Sequence, residues 1–379
     1  MKIVNVVGAR PNFIKIAPLM REMRKHPEIE PLLVHTGQHY DEHLSDIFFR
    51  QLGIAQPDVD LQVGSGSHAW QTGEVLKRIE PVLMDQRPDL VLVVGDVNST
   101  VAAALAAAKL GIPVAHVEAG LRSFDRSMPE EINRILTDAI SDYLFVTEEA
   151  AVKNLVREGK PPDQIYFVGN VMIDALLQFL PHAATSSIAG TLNLGRSDEA
   201  LPFGLMTLHR PSNVDSPATL QYLLQSAEEI ADRIPVVFPV HPRTRLRIEA
   251  LKAKIHSQVR LIPPVGYLDF LWLLSRARFV MTDSGGIQEE ATALGVPCLT
   301  LRENTERPVT VEQGTNQIVG TEPGKLISAA RGILSAPRKQ RRAPHLWDGN
   351  ASQRIVEVLL RESQPHSGDF SFSTRSCGS

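Results

Sequence analysis

The sequence predicts an α/β protein of two doubly wound units facing a shared cleft, and three observations carry that expectation. Apolar, strand-like runs alternate with helical periodicity along most of the chain, the pattern of parallel sheets covered on both faces. At 379 residues the chain exceeds the size at which a single core usually keeps growing. Four apolar runs stop at residues able to do chemistry: 90–94 at Gly95-Asp96, 113–117 at Glu118, 203–208 at His209-Arg210, and 279–282 at Asp283-Ser284-Gly285-Gly286. Ligands of open parallel sheets bind outside the carboxyl ends of the strands, so these motifs, two from each half, point to one site between two lobes.

Residues 2–7 read as a short buried strand, 13–25 as a helix with Ile16, Leu19, Met20 and Met23 on one face, and 31–35 as the second strand of a βαβ opening. Pro18 predicts that regular helix begins only a few residues before it, since proline is best accommodated in a first turn. Pro88-Asp89 breaks the chain before strand 90–94, residues 99–110 form an alanine-rich helix closed by Gly111, and 113–117 and 143–146 are further strands. A helix over 171–180 leads into 182–200, whose Ser, Ala, Gly and Asp content predicts a linker or variable loop. The second half resumes the alternation, with strands at 203–208, 235–240, 259–262, 279–282 and 297–301 and helices over 217–233, 268–277 and 287–294. The expected division is an amino-terminal unit over 1–172 and a carboxy-terminal unit over 173–350. A last helix over 351–361 is expected to pack back on the first unit, ahead of a disordered tail over 362–379.

A net charge of -4, with 43% hydrophobic and 22% charged residues, describes an ordinary globular protein with no general attraction to polyanions, so no nucleic-acid partner is expected. No apolar run reaches membrane-spanning length, and the chain opens directly on a strand where a signal peptide needs a longer apolar stretch. A cytoplasmic protein without a membrane partner is the expectation. Cys298 and Cys377 lie far apart, which supports neither a disulfide framework nor a zinc site. Asp58-Val59-Asp60 sits in what reads as a polar connection, and His39 and His43 lack the order of a metalloprotease motif, so no metal is expected. The G-x-S-x-G elbow of a serine triad is also missing.

The strongest local signal is Thr282-Asp283-Ser284-Gly285-Gly286-Ile287-Gln288-Glu289-Glu290, a strand, a Ser-Gly-Gly turn and a helix. Glycines allow close backbone approach, and the unpaired amides and dipole at a helix start favour phosphate oxygens, so a diphosphate fits there. Glu290 lies along that helix where a carboxylate can accept ribose hydroxyls, with Glu289 pointing elsewhere; a plain helix cap by Asp283 or Ser284 is the blander alternative. After the first strand, Gly8 permits a tight turn, and Arg10 and Lys15 can offset phosphate charge, although both dinucleotide and P-loop fingerprints are missing. Asp96, Glu118, Glu130 and Glu131 form a candidate carboxylate cluster suited to moving protons to and from carbon, with helix-dipole complementation as the alternative for the last two. His209 is favoured over His241 as a group that binds phosphate or assists a leaving group, and Arg307 is a further anion-binding candidate.

With these motifs in place, the chain resembles the non-hydrolysing UDP-N-acetylglucosamine 2-epimerases, most closely an archaeal-type branch, over about residues 1 to 361. The resemblance rests on Gly8-Ala9-Arg10-Pro11, Thr36-Gly37-Gln38-His39, Gly95-Asp96, His116 to Arg122, Pro129 to Arg134, Leu208-His209-Arg210, Pro239-Val240-His241-Pro242, Thr282 to Glu290 and Thr305-Glu306-Arg307-Pro308. It implies two Rossmann-like domains in a glycosyltransferase-B-like arrangement, a homodimer, no cofactor, and a UDP-sugar substrate. The implied reaction interconverts UDP-N-acetylglucosamine and UDP-N-acetylmannosamine: UDP is eliminated to leave a bound 2-acetamidoglucal, then re-added after protonation from the opposite face. By matching position, Asp96, Glu118 and Glu130 are the acid/base carboxylates and His209 stabilises departing UDP. Arg10, Lys15, Ser284, Gly285, Gly286 and Glu290 hold the nucleotide. The chain departs from the family pattern at Asn12, at Pro211-Ser212 and at Val309, and Trp70 stands where substrate-activated bacterial members carry arginine. A relative acting on a 2,3-diacetamido uronic acid nucleotide is an alternative. A glycosyltransferase on the same architecture and a non-catalytic nucleotide-sugar sensor rank lower, because neither needs three carboxylates for proton transfer.

Overall fold

The computed structural model describes residues 1–38, 53, 56–196, 199–252, 255–337 and 343–362. Two parallel sheets, each covered by helices, make an α/β fold of two domains. The first sheet contains β1 (Lys2–Val7), β2 (Glu30–His35), β3 (Val59–Asp60), β4 (Leu90–Val94), β5 (Val114–Val117), β6 (Tyr143–Val146) and β7 (Ile165–Phe167), in the order β3-β2-β1-β4-β5-β6-β7. After the small antiparallel pair β8 (Gly195–Arg196) and β9 (Glu199–Ala200), the second sheet contains β10 (Gly204–Thr207), β11 (Val236–Pro239), β12 (Val259–Ile262), β13 (Phe279–Thr282), β14 (Cys298–Thr300) and β15 (Asn316–Ile318). Its order is β12-β11-β10-β13-β14-β15.

Both orders reverse once, between β1 and β4 and between β10 and β13, and such switch points open the crevices that bind ligands. Gly8 and Gly95-Asp96 leave the strands at the first switch point; His209 and Asp283 to Gly286 lie at the second.

The continuous apolar strands follow from burial on both faces. In β4, Leu90, Leu92 and Val94 join the core shared with Ile16, Leu19 and Met20, while Val91 and Val93 face Val75, Ile79, Ala102 and Ala103. The alanines of helix Asn98–Lys109 keep that layer thin enough for helix His68–Gln86 to pack close by. Helix Val171–Ala183 touches both helix Arg10–Met23 and helix Tyr267–Arg276, so the first core runs continuously into the second lobe. The last helix, Ala351–Glu362, packs against Arg10–Met23 and Val171–Ala183. Asp174 caps its start, accepting from the Ala351 amide at 3.1 Å and from the Ser352 amide and hydroxyl at 2.7 Å each.

Three expectations are corrected. Helix Arg10–Met23 carries Pro18 in its interior, eight residues after its start, because packing Phe13, Ile16, Leu19, Met20 and Met23 on the sheet outweighs the roughly 3 kcal/mol cost of an interior proline. The stretch 182–200 is not a bare linker: it completes one helix, adds the short helix Ile188–Thr191 and the β8–β9 pair, and buries Ile188, Ala189 and Leu194. The Asp58 to Asp60 segment is a strand edge: Asp58 accepts the Leu33 amide at 2.7 Å, and Val59–Asp60 pairs with β2. The expectations for His39, for His43 and for the tail beyond Glu362 lie outside the described residues.

Candidate active site

The first-lobe acids are held by backbone as much as by side chains. Gly95 takes a φ of +69° that glycine adopts freely, and donates its amide to the Val117 carbonyl at 3.0 Å. Glu118, at the end of β5, has a φ of +74°, a conformation costly for a residue with a side chain. It is sustained by two amides, those of Glu118 and Ala119, that both donate to the Phe145 carbonyl at 3.1 and 3.0 Å. The kink brings the Glu118 carboxylate onto the buried Lys15 ammonium, with which it forms a salt bridge. A Cβ placed on Gly95 would lie 3.1 Å from that ammonium and 3.7 Å from Glu118 Oε2, so the Asp96 turn abuts the Lys15–Glu118 pair. Asn12 secures the neighbouring turn. Its amide donates to the Val94 carbonyl at 2.9 Å while its oxygen accepts from the Ala9 amide at 3.0 Å, a dual role that a carboxylate cannot fill.

Helix Pro129–Ile140 supplies the next layer. Arg134, buried, grips Asp96 with Nη1 and Glu131 with Nη2 (2.7 Å) and Nε (3.0 Å). Burial pushes the Asp96 carboxyl up, but Arg134, Lys15 and Arg307 outweigh it and hold the group below the usual carboxylate range. Glu131 is a loop anchor: it accepts the Ser123 and Phe124 amides at 3.0 and 2.9 Å. Glu130 faces the other lobe, 3.8 Å from Arg210 Nη1, and is 38% exposed.

In the second lobe, Asp283 does not cap the helix that follows it. Fully buried, it accepts the amides of His209 and Arg210 and the Asn213 side chain, and pairs with His209 Nδ1 at 2.8 Å. Nδ1 thus engaged, the largely exposed His209 ring leaves Nε2 for chemistry. Helix Gly285–Ala293 starts at Ser284, and its first amides have no acceptor within the helix. A Cβ on Gly285 would meet Arg307 Nη1 at 2.3 Å, so the buried Arg307 lies directly beneath this turn. Arg307 is clamped by Glu289 (2.7 Å) and Glu306 (2.6 Å). Burial works against its charge, yet Glu289, Glu306, Glu118 and Asp96 raise its pKa, which sets acids of the first lobe against a cation of the second. Glu289 also accepts from Asn170 at 3.0 Å. Glu290 accepts the Tyr267 hydroxyl at 2.9 Å, and burial pushes its carboxyl up to about 7.

The structure therefore brings Asp96, Glu118, Lys15, Arg307 and the Ser284-Gly285-Gly286 turn to one region between the lobes, with Glu130 and His209 at its more exposed margin. His241 caps helix Pro242–Ala250, accepting the Arg243 amide through Nδ1 at 3.3 Å. The side chain of Arg10 lies outside what the structure describes. Sequence reasoning missed the roles of Arg134, Glu306 and Tyr267, and the partners of Asp283. Arg134 had a faint signal, one helical turn after Glu130; the others are joined to their partners only by the fold. A cavity of about 790 Å³ lies elsewhere, behind β14 and β15, lined by Cys298, Asn316, Lys325 and Ile333 among others. Burial pushes the Cys298 thiol up to about 12, which leaves it unreactive. Among the described residues there is no cluster of metal-ligating side chains and no helix long and apolar enough to cross a membrane.

Comparison with known proteins agrees with this geometry. A sequence model described as UDP-N-acetylglucosamine 2-epimerase matches residues 21–360. The UDP-N-acetylglucosamine 2-epimerase of Methanocaldococcus jannaschii is 45% identical over 366 residues, covering 95% of this chain and 99% of the relative. The UDP-2,3-diacetamido-2,3-dideoxy-D-glucuronate 2-epimerase of Pseudomonas aeruginosa is also 45% identical, over 364 residues that cover 95% of this chain and all of the relative. A crystal structure of the M. jannaschii enzyme in complex with UDP-GlcNAc and UDP superposes with a TM-score of 0.88 at 44% identity, covering 95% of this chain and 100% of that one. With the same two-sheet architecture and matches of this extent, the chain belongs to the UDP-N-acetylglucosamine 2-epimerase family.

Proposed function

We propose that this protein interconverts UDP-N-acetylglucosamine and UDP-N-acetylmannosamine by inversion at C2. The observation that carries the reading is the apposition of Asp96 and Glu118 of one lobe to the Arg307-braced Ser284-Gly285-Gly286 turn of the other. The helix amides at that turn suit the diphosphate, and Glu290, oriented by Tyr267, suits the ribose hydroxyls. Lys15 and Arg307 are engaged with carboxylates, so they act through their field on the diphosphate rather than as free partners.

The C2 proton of the sugar is too weakly acidic for simple abstraction. In the proposed route a carboxylate takes that proton as the C1–O bond breaks. The C–H electron pair becomes the C1=C2 double bond, and the C1–O pair leaves with UDP. His209, oriented by Asp283 at 2.8 Å, presents Nε2 to the departing diphosphate. A second carboxyl group delivers a proton to the opposite face of C2, and UDP returns to C1. Asp96, held ionised by Arg134, Lys15 and Arg307, is suited to be one of the acid/base pair, with Glu118 and Glu130 the other candidates. We place the lobe boundary near residues 172 and 173 and, from the family resemblance, propose a cytoplasmic homodimer; light scattering tests the dimer.

The equal identity to the diacetamido-uronate epimerase favours one second reading, in which the sugar carries a 3-acetamido group and a C6 carboxylate. NMR of the protein with each nucleotide sugar, without any acceptor, decides. The manno isomer should appear from UDP-N-acetylglucosamine; conversion of the uronate alone would move the assignment to the second reading, and conversion of neither would remove both.

A further inference from the structure

His116 stands in β5, the strand that ends at Glu118, and is completely buried among apolar neighbours. Its two ring nitrogens both meet acceptors: Nδ1 lies 2.6 Å from Asp138 Oδ1, and Nε2 lies 2.9 Å from the Gly95 carbonyl oxygen. A carboxylate oxygen and a carbonyl oxygen only accept, so the ring meets an acceptor on each side. Asp138, on helix Pro129–Ile140, supplies the first of them. Its other oxygen accepts the Gly120 amide at 3.0 Å and pairs with Arg122 at 2.7 Å. Burial pushes the Asp138 carboxyl up, but His116 and Arg122 hold it below the usual range. One buried carboxylate therefore fixes both His116 and the turn that follows Glu118.

The contact to Gly95 matters because of what glycine allows. The peptide joining Gly95 to Asp96 sits at a left-handed glycine, where rotation of the peptide plane meets little steric resistance. Such a rotation would swing Asp96 away from Glu118. Three contacts oppose it: the Gly95 amide to the Val117 carbonyl, the His116 ring to the Gly95 carbonyl, and the Asn133 amide group to the Asp96 carbonyl at 2.9 Å. The His116 contact is the one made to that peptide's own oxygen.

We infer that His116, braced by Asp138, is a positioning residue for proton transfer at C2: it locks the Gly95–Asp96 peptide so that the Asp96 and Glu118 carboxylates keep a fixed relation. This deepens the epimerase reading and rests on it. His116 lies behind the strand and touches no substrate.

The test compares wild type with His116→Gln and with Asn133→Ala, measuring turnover of UDP-N-acetylglucosamine and counting UDP-binding sites by calorimetry, so that rates refer to folded, nucleotide-competent protein. Misplacing a reacting group by about 1 Å costs on the order of 100-fold. Expected is a fall in kcat of about 100-fold for His116→Gln and about tenfold for Asn133→Ala, each per UDP-binding site, with KM and UDP affinity within about threefold of wild type. The inference is overturned if His116→Gln turns over within about threefold of wild type per UDP-binding site, or if UDP affinity falls in step with kcat. Should His116→Gln not fold, unchanged kcat in Asn133→Ala overturns it, and the tenfold loss supports it. An inactive wild type would instead defeat the epimerase reading itself.

Discussion

Arg134 holds Asp96 and Glu131 at once, one guanidinium nitrogen on the first carboxylate and two on the second. The acid at the cleft floor and the anchor of the 123–124 loop thus share a single buried cation. A proton-transferring aspartate that must stay ionised gains from this arrangement, since burial alone would raise its pKa.

Removing that cation has a defined sign. The Asp96 pKa is depressed in the folded protein, so Arg134→Gln lets it rise and fewer molecules carry the carboxylate at low pH. The acidic limb of the kcat/KM profile should move to higher pH. Stability should fall by about 3 kcal/mol, because the buried Glu131 and the half-buried Asp96 lose their shared cation. A pH–rate series with urea denaturation checks both.

Asp96→Asn and Glu118→Gln remove proton transfer while keeping shape. Each should lower kcat by roughly 100-fold to 10,000-fold and leave UDP affinity nearly unchanged, since the Ser284-Gly285-Gly286 turn and Glu290, assigned to the diphosphate and ribose, lie in the other lobe. Calorimetric titration with UDP separates this outcome from a structural role, in which binding and turnover would fall together.

The two glycines of the phosphate turn should not behave alike. In Gly285→Ala the new methyl would lie 2.3 Å from Arg307 Nη1 and 2.8 Å from Glu306 Oε1, groups already locked to each other. A stability loss of about 1–3 kcal/mol and at least tenfold weaker UDP binding are expected. Gly286→Ala meets only Met172 Cε at 3.8 Å, so its melting temperature should stay near that of wild type. Paired thermal melts and UDP titrations make the comparison.

Glu148 gives the fold a pH dependence. Burial first, then the charge of Glu289, pushes its carboxyl up to about 8, with Arg307 opposing; Glu312 also faces it. A carboxyl raised on folding binds its proton more tightly in the native state, so its stabilisation is complete below about pH 4.5 and is lost as pH rises toward 8. The slope approaches about 1.4 kcal/mol per pH unit in that window. Glu148→Gln should flatten the fall and be the more stable protein at pH 8. Glu289, raised to about 7, leaves a residual slope at lower pH. Urea unfolding between pH 5 and pH 9 measures the gap.

What the sequence made legible was what burial on two faces and strand-end chemistry impose locally. The run Leu90–Val94 is apolar throughout because both of its faces are covered, and its end at Asp96 is visible for the same reason. The Ser284-Gly285-Gly286 turn is legible through its glycines, and at Gly285 a side chain would meet Arg307. The partners of these groups were not legible. Lys15 meets Glu118 across 103 residues and Asp283 meets the His209 amide across 74, pairings that no local pattern announces. A helix cap was only the blander alternative for Asp283; the fold brings the His209 loop to it instead. Val59–Asp60 escaped because a two-residue edge strand has no periodicity to read.

The central claim is that carboxylates of the first lobe exchange the C2 proton of a UDP-sugar held by the second. Incubating the protein with UDP-N-acetylglucosamine in deuterated water, and following C2 of the sugar by NMR, tests it most directly. All of the manno product should carry deuterium at C2, and both label and product should form at least 100-fold more slowly in Asp96→Asn and Glu118→Gln although UDP still binds. Manno product that keeps its original C2 hydrogen, or undiminished labelling in both variants, would contradict it.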